Sequence, residues 1–219
     1  MNPEVISSYI PLYGKAFALT LKIGWIGIAL AIGIGLLGAF ILFFRIPVAA
    51  AVVKGYVELF RNTPLLVQLF FIYYGLPSVG IRISAEVCGA LGLGLLGGSY
   101  MTESIRSGLE AVPAIQTESA ISLGMTRRQL FGAVVLPQAF AISVPGILAN
   151  VIFLLKETSV FSAISLMDLM FTAKDLIGLY YDTTESLFLL VVFYTLMLLP
   201  VSLAGYLIEK KARFKMFGD

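Results

Sequence analysis

The chain has no histidine and one cysteine, Cys88. Those absences remove the His/Cys zinc site, the haem ligand pair, the disulfide framework and the Ser-His and Cys-His nucleophilic pairs, and with them most familiar enzyme chemistry. Charge is scarce as well: 13% of residues are charged and 59% hydrophobic, where a soluble domain carries about 25% charged residues. A water-soluble globule of 219 residues could not hide that much apolar surface. A net charge of +2 is too small to draw in nucleic acid, and the basic residues form no aromatic-interleaved patch, so no nucleic-acid partner is expected.

Long uncharged runs stand in place of the missing charge, over residues 23–44, 62–81, 87–102, 129–155 and 186–208. Four of the five reach the roughly 20 residues that a helix needs to cross a hydrocarbon core of about 30 Å. The third, at sixteen, falls slightly short. The expectation is an all-α membrane protein, a single transmembrane domain over 1–219, with about five spans near 19–44, 58–77, 84–105, 138–157 and 186–208 and a loop at 110–137. The segment before the first span carries Glu4, and the apolar stretch after it is longer than a signal-peptide core, so it is expected to stay in the membrane.

Lys and Arg accumulate on the cytoplasmic side of short loops. With the N-terminus outside, the inner segments hold ten of them: Arg45, Lys54, Arg61, Arg106, Arg127, Arg128, Lys210, Lys211, Arg213 and Lys215. The outer segments hold Lys15, Arg82, Lys156 and Lys174. The expected orientation is therefore N-out and C-in. Within the first span, the pairs Ala29/Gly33 and Ala31/Gly35 have the four-residue spacing that permits close helix approach, and the third span is glycine-rich from Gly89 to Gly98.

Residues 110–137 form an amphipathic excursion in an otherwise apolar chain. The pattern predicts a short helix near 116–123, with Glu118 towards its positive end and Gly124 as its left-handed stop. A second helix begins at Thr126, where Thr126-x-x-Gln129 fits a capping box, and runs to Pro137. Such a knob, with Arg127 and Arg128 between its helices, suits a partner's groove. A surface loop lying on anionic lipid is the competing reading.

These residues carry a resemblance. Glu118-Ser119-Ala120, then Gly124, then Val134-x-Leu136-Pro137 resembles the E-A-A signature loop of binding-protein-dependent ABC import permeases, with Ser119 in place of the first alanine. Arg61-Asn62-Thr63-Pro64-Leu65-Leu66-Val67-Gln68 is similar to the R-G-T-P-L-L-V-Q stretch of the polar amino acid branch, the histidine/glutamine/arginine type, with Asn62 for glycine. Leu155-Lys156-Glu157-Thr158-Ser159 resembles a third block of that branch.

The resemblance implies the type I importer permease fold and the membrane subunit of an ATP-driven amino acid importer in a bacterial cytoplasmic membrane. It implies a second permease chain, identical or related, two ATP-binding cassette subunits and an extracytoplasmic binding protein. The chain contains no G-x4-G-K-[ST] phosphate loop, so ATP and Mg are expected on the partner ATPase, with no cofactor and no catalytic role here. By resemblance, Glu118, Ala120, Gly124, Arg127 and Arg128 form the ATPase-coupling surface. An autonomous ion-coupled carrier or channel is the alternative.

A zwitterion crossing the bilayer needs fixed polar groups to replace its water. Asn62, Thr63, Leu65 and Gln68 surround Pro64, either as a pathway at a helix start or as a plain helix cap. Tyr100 and Glu103 share a helix face, and Glu103 is either a pathway carboxylate or the partner of Arg106. Asn150, Lys156, Glu157, Thr158 and Ser159 are assigned to the pathway by resemblance. Spacing alone leaves Lys156 and Glu157 between the pathway and the outer interface.

Overall fold

The structure, a computed structural model, describes residues 1–217. Gly218 and Asp219, the end of the expected 1–219 domain, and the side chains of Arg213 and Lys215 lie outside the described residues. Among the described residues every regular element is helical.

Helix α1 runs from Pro3 to Phe43. Its start follows from three neighbours: Asn2 accepts the Glu4 N–H at 3.0 Å, Pro3 needs no donor, and Glu4 sits at the positive end. At 41 residues it is about 60 Å long, roughly twice the hydrocarbon thickness. Its N-terminal turns therefore extend beyond the apolar span and pack as a separate unit: Tyr9, Tyr13 and Ala16 bury themselves against Leu169, Ala173, Leu176 and Leu189.

A turn at Arg45, whose φ is 52°, leads into α2 (Pro47–Arg61). The span expected over 58–77 is not one helix. It breaks at Asn62-Thr63-Pro64, because proline offers no N–H and pushes the residue before it out of helical geometry. Helix α3 (Leu65–Phe70) then continues through a π turn (Phe71–Gly75) and a 3-10 turn (Leu76–Val79).

Helix α4 (Ala85–Glu110) lies between α1 and α7 (Leu136–Glu157), and its small residues explain how closely. A methyl group on Gly27 would stand 2.6 Å from Leu93 Cβ, and one on Gly97 2.7 Å from Ala31 Cβ; Gly35 is just as tightly covered by Met101. The stripe that meets α4 is Gly27, Ala31, Gly35 and Gly38. Of the two pairs expected from spacing, Ala31/Gly35 is buried, whereas Ala29 and Gly33 face outwards.

Helix α5 spans Ala114–Ser122. A short α6 (Arg127–Gln129) opens with the expected capping box between Thr126 and Gln129. It does not stop at Pro137. A π turn over Leu130–Val135 widens the ladder, and the helix continues directly as α7, with Pro137 just past the π turn.

After a 3-10 segment (Thr158–Ile164), α8 (Leu169–Tyr180) is capped by Asp168, whose Oδ1 accepts the Phe171 N–H at 2.8 Å. Helix α9 runs Thr183–Phe217.

Among the described residues three helices are long and apolar enough to cross a membrane: Pro3–Phe43, Arg127–Ile164 and Thr183–Ala212, with mean hydropathies of 2.6, 1.9 and 2.5. Helix α4 is not among them, since its glycines dilute its hydropathy; it earns its place by burial between α1 and α7.

Candidate pathway and coupling surface

The break between α2 and α3 is held by side chains that return to the backbone. Asn62 Nδ2 donates to the Glu58 carbonyl at 2.7 Å, and Thr63 Oγ1 donates to the Leu59 carbonyl at 2.7 Å. They close the C-terminal end of α2 and do not cap the start of α3. Gln68, buried, donates through Nε2 to the carbonyls of Phe60 at 3.1 Å and Thr63 at 2.9 Å. Its Oε1 is buried without a hydrogen-bond partner among the described residues.

Beside this break lies a central cleft of about 370 Å³. Asn62, Thr63 and Leu65 line one wall, Tyr100 of α4 another, and Phe153 and Glu157 of α7 a third. Arg61 lines it as well, its guanidinium 5.1 Å from the centre of the Tyr100 ring. Arg61 and Glu103 also line a larger cleft of about 720 Å³, together with Arg45, Lys54, Glu58, Arg106 and Glu110.

Glu103 makes the pair expected of it. Arg106 reaches its carboxylate at 2.9 and 3.3 Å and spends another N–H on Glu110 at 2.7 Å. Arg61 stands 3.7 Å from the same carboxylate, at ion-pair range without a hydrogen bond.

Five of the residues singled out in the sequence, Asn62, Thr63, Leu65, Tyr100 and Glu157, thus meet in the central cleft, and Glu103 stands in the next one. The others sit elsewhere. Gln68 lies behind the break, and Asn150 ties α7 to α4 by donating to Ser104 Oγ at 2.8 Å. Lys156 is exposed and makes no ion pair among the described residues. Thr158 is buried, donating to the Leu155 carbonyl at 2.7 Å with its methyl against Gly24. Ser159 is half-buried, and its carbonyl accepts from Ser162 at 3.4 Å.

Arg61 is the residue that reading the sequence did not assign to the pathway. It counted there as an inner-side charge and as the first residue of the Arg61–Gln68 block, and its place next to Asn62-Thr63-Pro64 was a signal. Ser104 gave none, being 46 positions from Asn150.

The 110–137 region presents a different surface. Gly124 has φ 80°, and its N–H donates to the Ile121 carbonyl at 2.9 Å, a left-handed stop with open space around it. Glu118 lies in the second turn of α5, not at its positive end, and is exposed, as are Arg127 and Arg128. Ala120 is buried under the loop. Phe131 packs on Phe40, Phe43 and Phe44 with ring centroids 5.3 to 6.1 Å apart, which braces the loop on the end of α1. Ile121 and Leu123 stay exposed, at 61% and 83%, so the loop carries an apolar tip between charges.

Apolar helices long enough to cross a bilayer, a charged cleft at a helix break and a braced, exposed loop together define a helical membrane permease. The chain belongs to the family of binding-protein-dependent transport system inner membrane components, whose model matches residues 27–214. It is 33% identical over 168 residues, 75% of each chain, to the probable amino-acid ABC transporter permease protein PatM of Vibrio harveyi. It is 30% identical to the probable glutamine ABC transporter permease protein GlnM of Bacillus subtilis, over 96% of this chain and 98% of that one. The fold matches a crystal structure of an amino acid ABC transporter with histidines at a TM-score of 0.90, with 32% identity over 96% of this chain and 99% of that one. The expected type I importer permease fold is therefore the observed one, and family and fold favour a permease subunit over an autonomous ion-coupled carrier or channel.

Proposed function

We propose that this chain is the membrane-spanning permease subunit of an ATP-driven importer that carries a polar amino acid across a bacterial cytoplasmic membrane. The observation that carries the cargo assignment is the central cleft. Among its described lining residues it offers one cation, Arg61 at the end of α2, and one carboxylate, Glu157 at the end of α7. A free amino acid bears the complementary charges. Relatives whose names specify amino acids or glutamine support the same class of cargo.

In this reading the N-terminus is outside and the C-terminus in the cytoplasm, and the clefts sharing Arg61 follow one another towards the cytoplasmic side. Asn62, Thr63, Leu65, Tyr100, Glu103 and Glu157 line the route. Gln68, Asn150, Thr158 and Ser159 hold its walls in register, and Lys156 marks the outer rim. A second permease chain completes the passage, and an extracytoplasmic binding protein delivers the cargo.

Two ATP-binding cassette subunits hold ATP and Mg and grip Glu118, Gly124, Arg127 and Arg128, with Ala120 packed beneath. Closure of the ATPase pair moves this loop. Because α6 continues unbroken into α7, the movement is passed to the helix that carries Glu157. ATP shifts the inward/outward equilibrium by binding one of the two states better.

Affinity purification of the tagged chain from mild detergent tests the assembly. An ATPase subunit should accompany it in one-to-one ratio with the permease chains. Recovery of the permease free of any ATPase, from cells that express the whole system, contradicts the reading.

A further inference from the structure

The geometry points to Arg61 as the residue that captures the α-carboxylate of the cargo, exchanging its contact with Glu103 for one with the amino acid. The inference rests on the cleft reading above. It begins from elimination among the polar groups of the central cleft. Asn62 and Thr63 line that cleft, but their side-chain donors are committed to the carbonyls of Glu58 and Leu59. Arg61 is the one cation among the described lining residues, and a guanidinium offers five N–H groups in a fork that matches a carboxylate.

Its present contacts leave that fork free. The Tyr100 ring, 5.1 Å from the guanidinium carbon, supports the cation through its face and takes no N–H in the plane. Glu103 lies 3.7 Å away, beyond hydrogen-bond range. Glu103 is not stranded when Arg61 leaves it, because Arg106 donates to both of its oxygens. Removing one partner from a half-buried ion pair is costly when the other is left alone, and here it is not left alone.

Arg61 also stands where one cleft becomes the next. The same cleft holds Glu157, the carboxylate available to the cargo's ammonium group. Arg45 and Lys54, which make no ion pair among the described residues, line the larger cleft with it. Arg61 is thus the fork between a cargo-loaded central cleft and an exit lined with unpaired cations.

The test uses the permease–ATPase assembly in nanodiscs, with L-glutamine, L-histidine and L-arginine as probes beside their α-amides, which keep the ammonium and lack the carboxylate. Apparent Kd values come from thermal shift. Wild type should prefer an acid to its amide by roughly ten- to a hundredfold, and R61Q should bring that ratio near one. E103Q, which removes the competing carboxylate, should bind the acid several-fold more tightly and the amide unchanged. E103Q also decides the matter if R61Q fails to assemble.

An R61Q assembly that keeps the wild-type acid preference overturns the role of Arg61 while leaving the cleft as an amino acid site. So does an E103Q assembly that loses affinity for acid and amide alike. A wild-type assembly that binds none of the three amino acids removes the cleft reading itself.

Discussion

Gln68 donates its side-chain amide to the carbonyl of Thr63 at 2.9 Å, across the very break at which α2 ends and α3 begins. A second bond to Phe60 at 3.1 Å makes Gln68 a brace between two helices that proline has separated. The central cleft opens beside this brace, so its shape depends on a residue that does not line it.

Replacing Gln68 with Leu leaves two main-chain carbonyls without their donor. Each lost bond to these part-buried carbonyls costs about 1 kcal/mol. The Q68L protein should melt measurably earlier in nanodiscs, and a melting temperature equal to wild type would show that the brace carries no weight.

The α1–α4 contact gives a paired prediction on one helix. Gly35 is covered by Met101, whereas Gly33, two residues away, has nothing within 4 Å of where its side chain would stand. Gly35→Val should destabilise the bundle by about 1–3 kcal/mol through overpacking, and Gly33→Val should leave thermal stability nearly unchanged. Equal effects at the two positions would contradict the close approach.

At the proposed coupling surface, Gly124→Asp meets no steric obstacle, since the space around it is open. It strains a backbone at φ 80° by about 1 kcal/mol or more and adds a charge to the docking tip. The variant should reach the membrane in normal amount and lose most of its uptake and transport-stimulated ATP hydrolysis. Full uptake by vesicles containing it would remove Gly124 from the coupling contact.

Asp168 predicts a pH dependence. Burial pushes its carboxyl up to about 7, despite the stabilising N–H groups of the α8 start, and its Oδ2 has no hydrogen-bond partner among the described residues. An acid whose folded pKa is raised stays protonated in the native state while it ionises in the unfolded chain. Its contribution is therefore most favourable below about pH 4 and declines as pH rises towards 7. Asp168→Asn keeps the cap and removes the charge. The melting temperature of D168N should exceed that of wild type by a margin that grows between pH 5 and pH 8, roughly 2–4 °C per kcal/mol relieved. A constant margin would mean that Asp168 does not titrate there.

The sequence disclosed the helical membrane class through its missing charge, and the helix start and stop within the 110–137 loop through Thr126, Gln129 and Gly124, because caps and left-handed stops are local. It did not disclose that α6 and α7 are continuous, since Pro137 looks like a terminator unless the π turn before it is seen. Nor could periodicity choose between Gly33 and Gly35, because both belong to small-residue pairs and only the facing Met101 separates them. The cleft was legible in part. Residues adjacent in sequence at Pro64 were found together, whereas the pairing of Arg61 with Tyr100 joins positions on different helices.

The most direct test of the central claim is uptake of radiolabelled amino acids by proteoliposomes, driven either by ATP or by an ion gradient. The account predicts accumulation only when the ATPase subunits, the binding protein and ATP are all present, with inhibition by vanadate. Uptake by this chain alone, driven by a proton or sodium gradient without ATP, would contradict it.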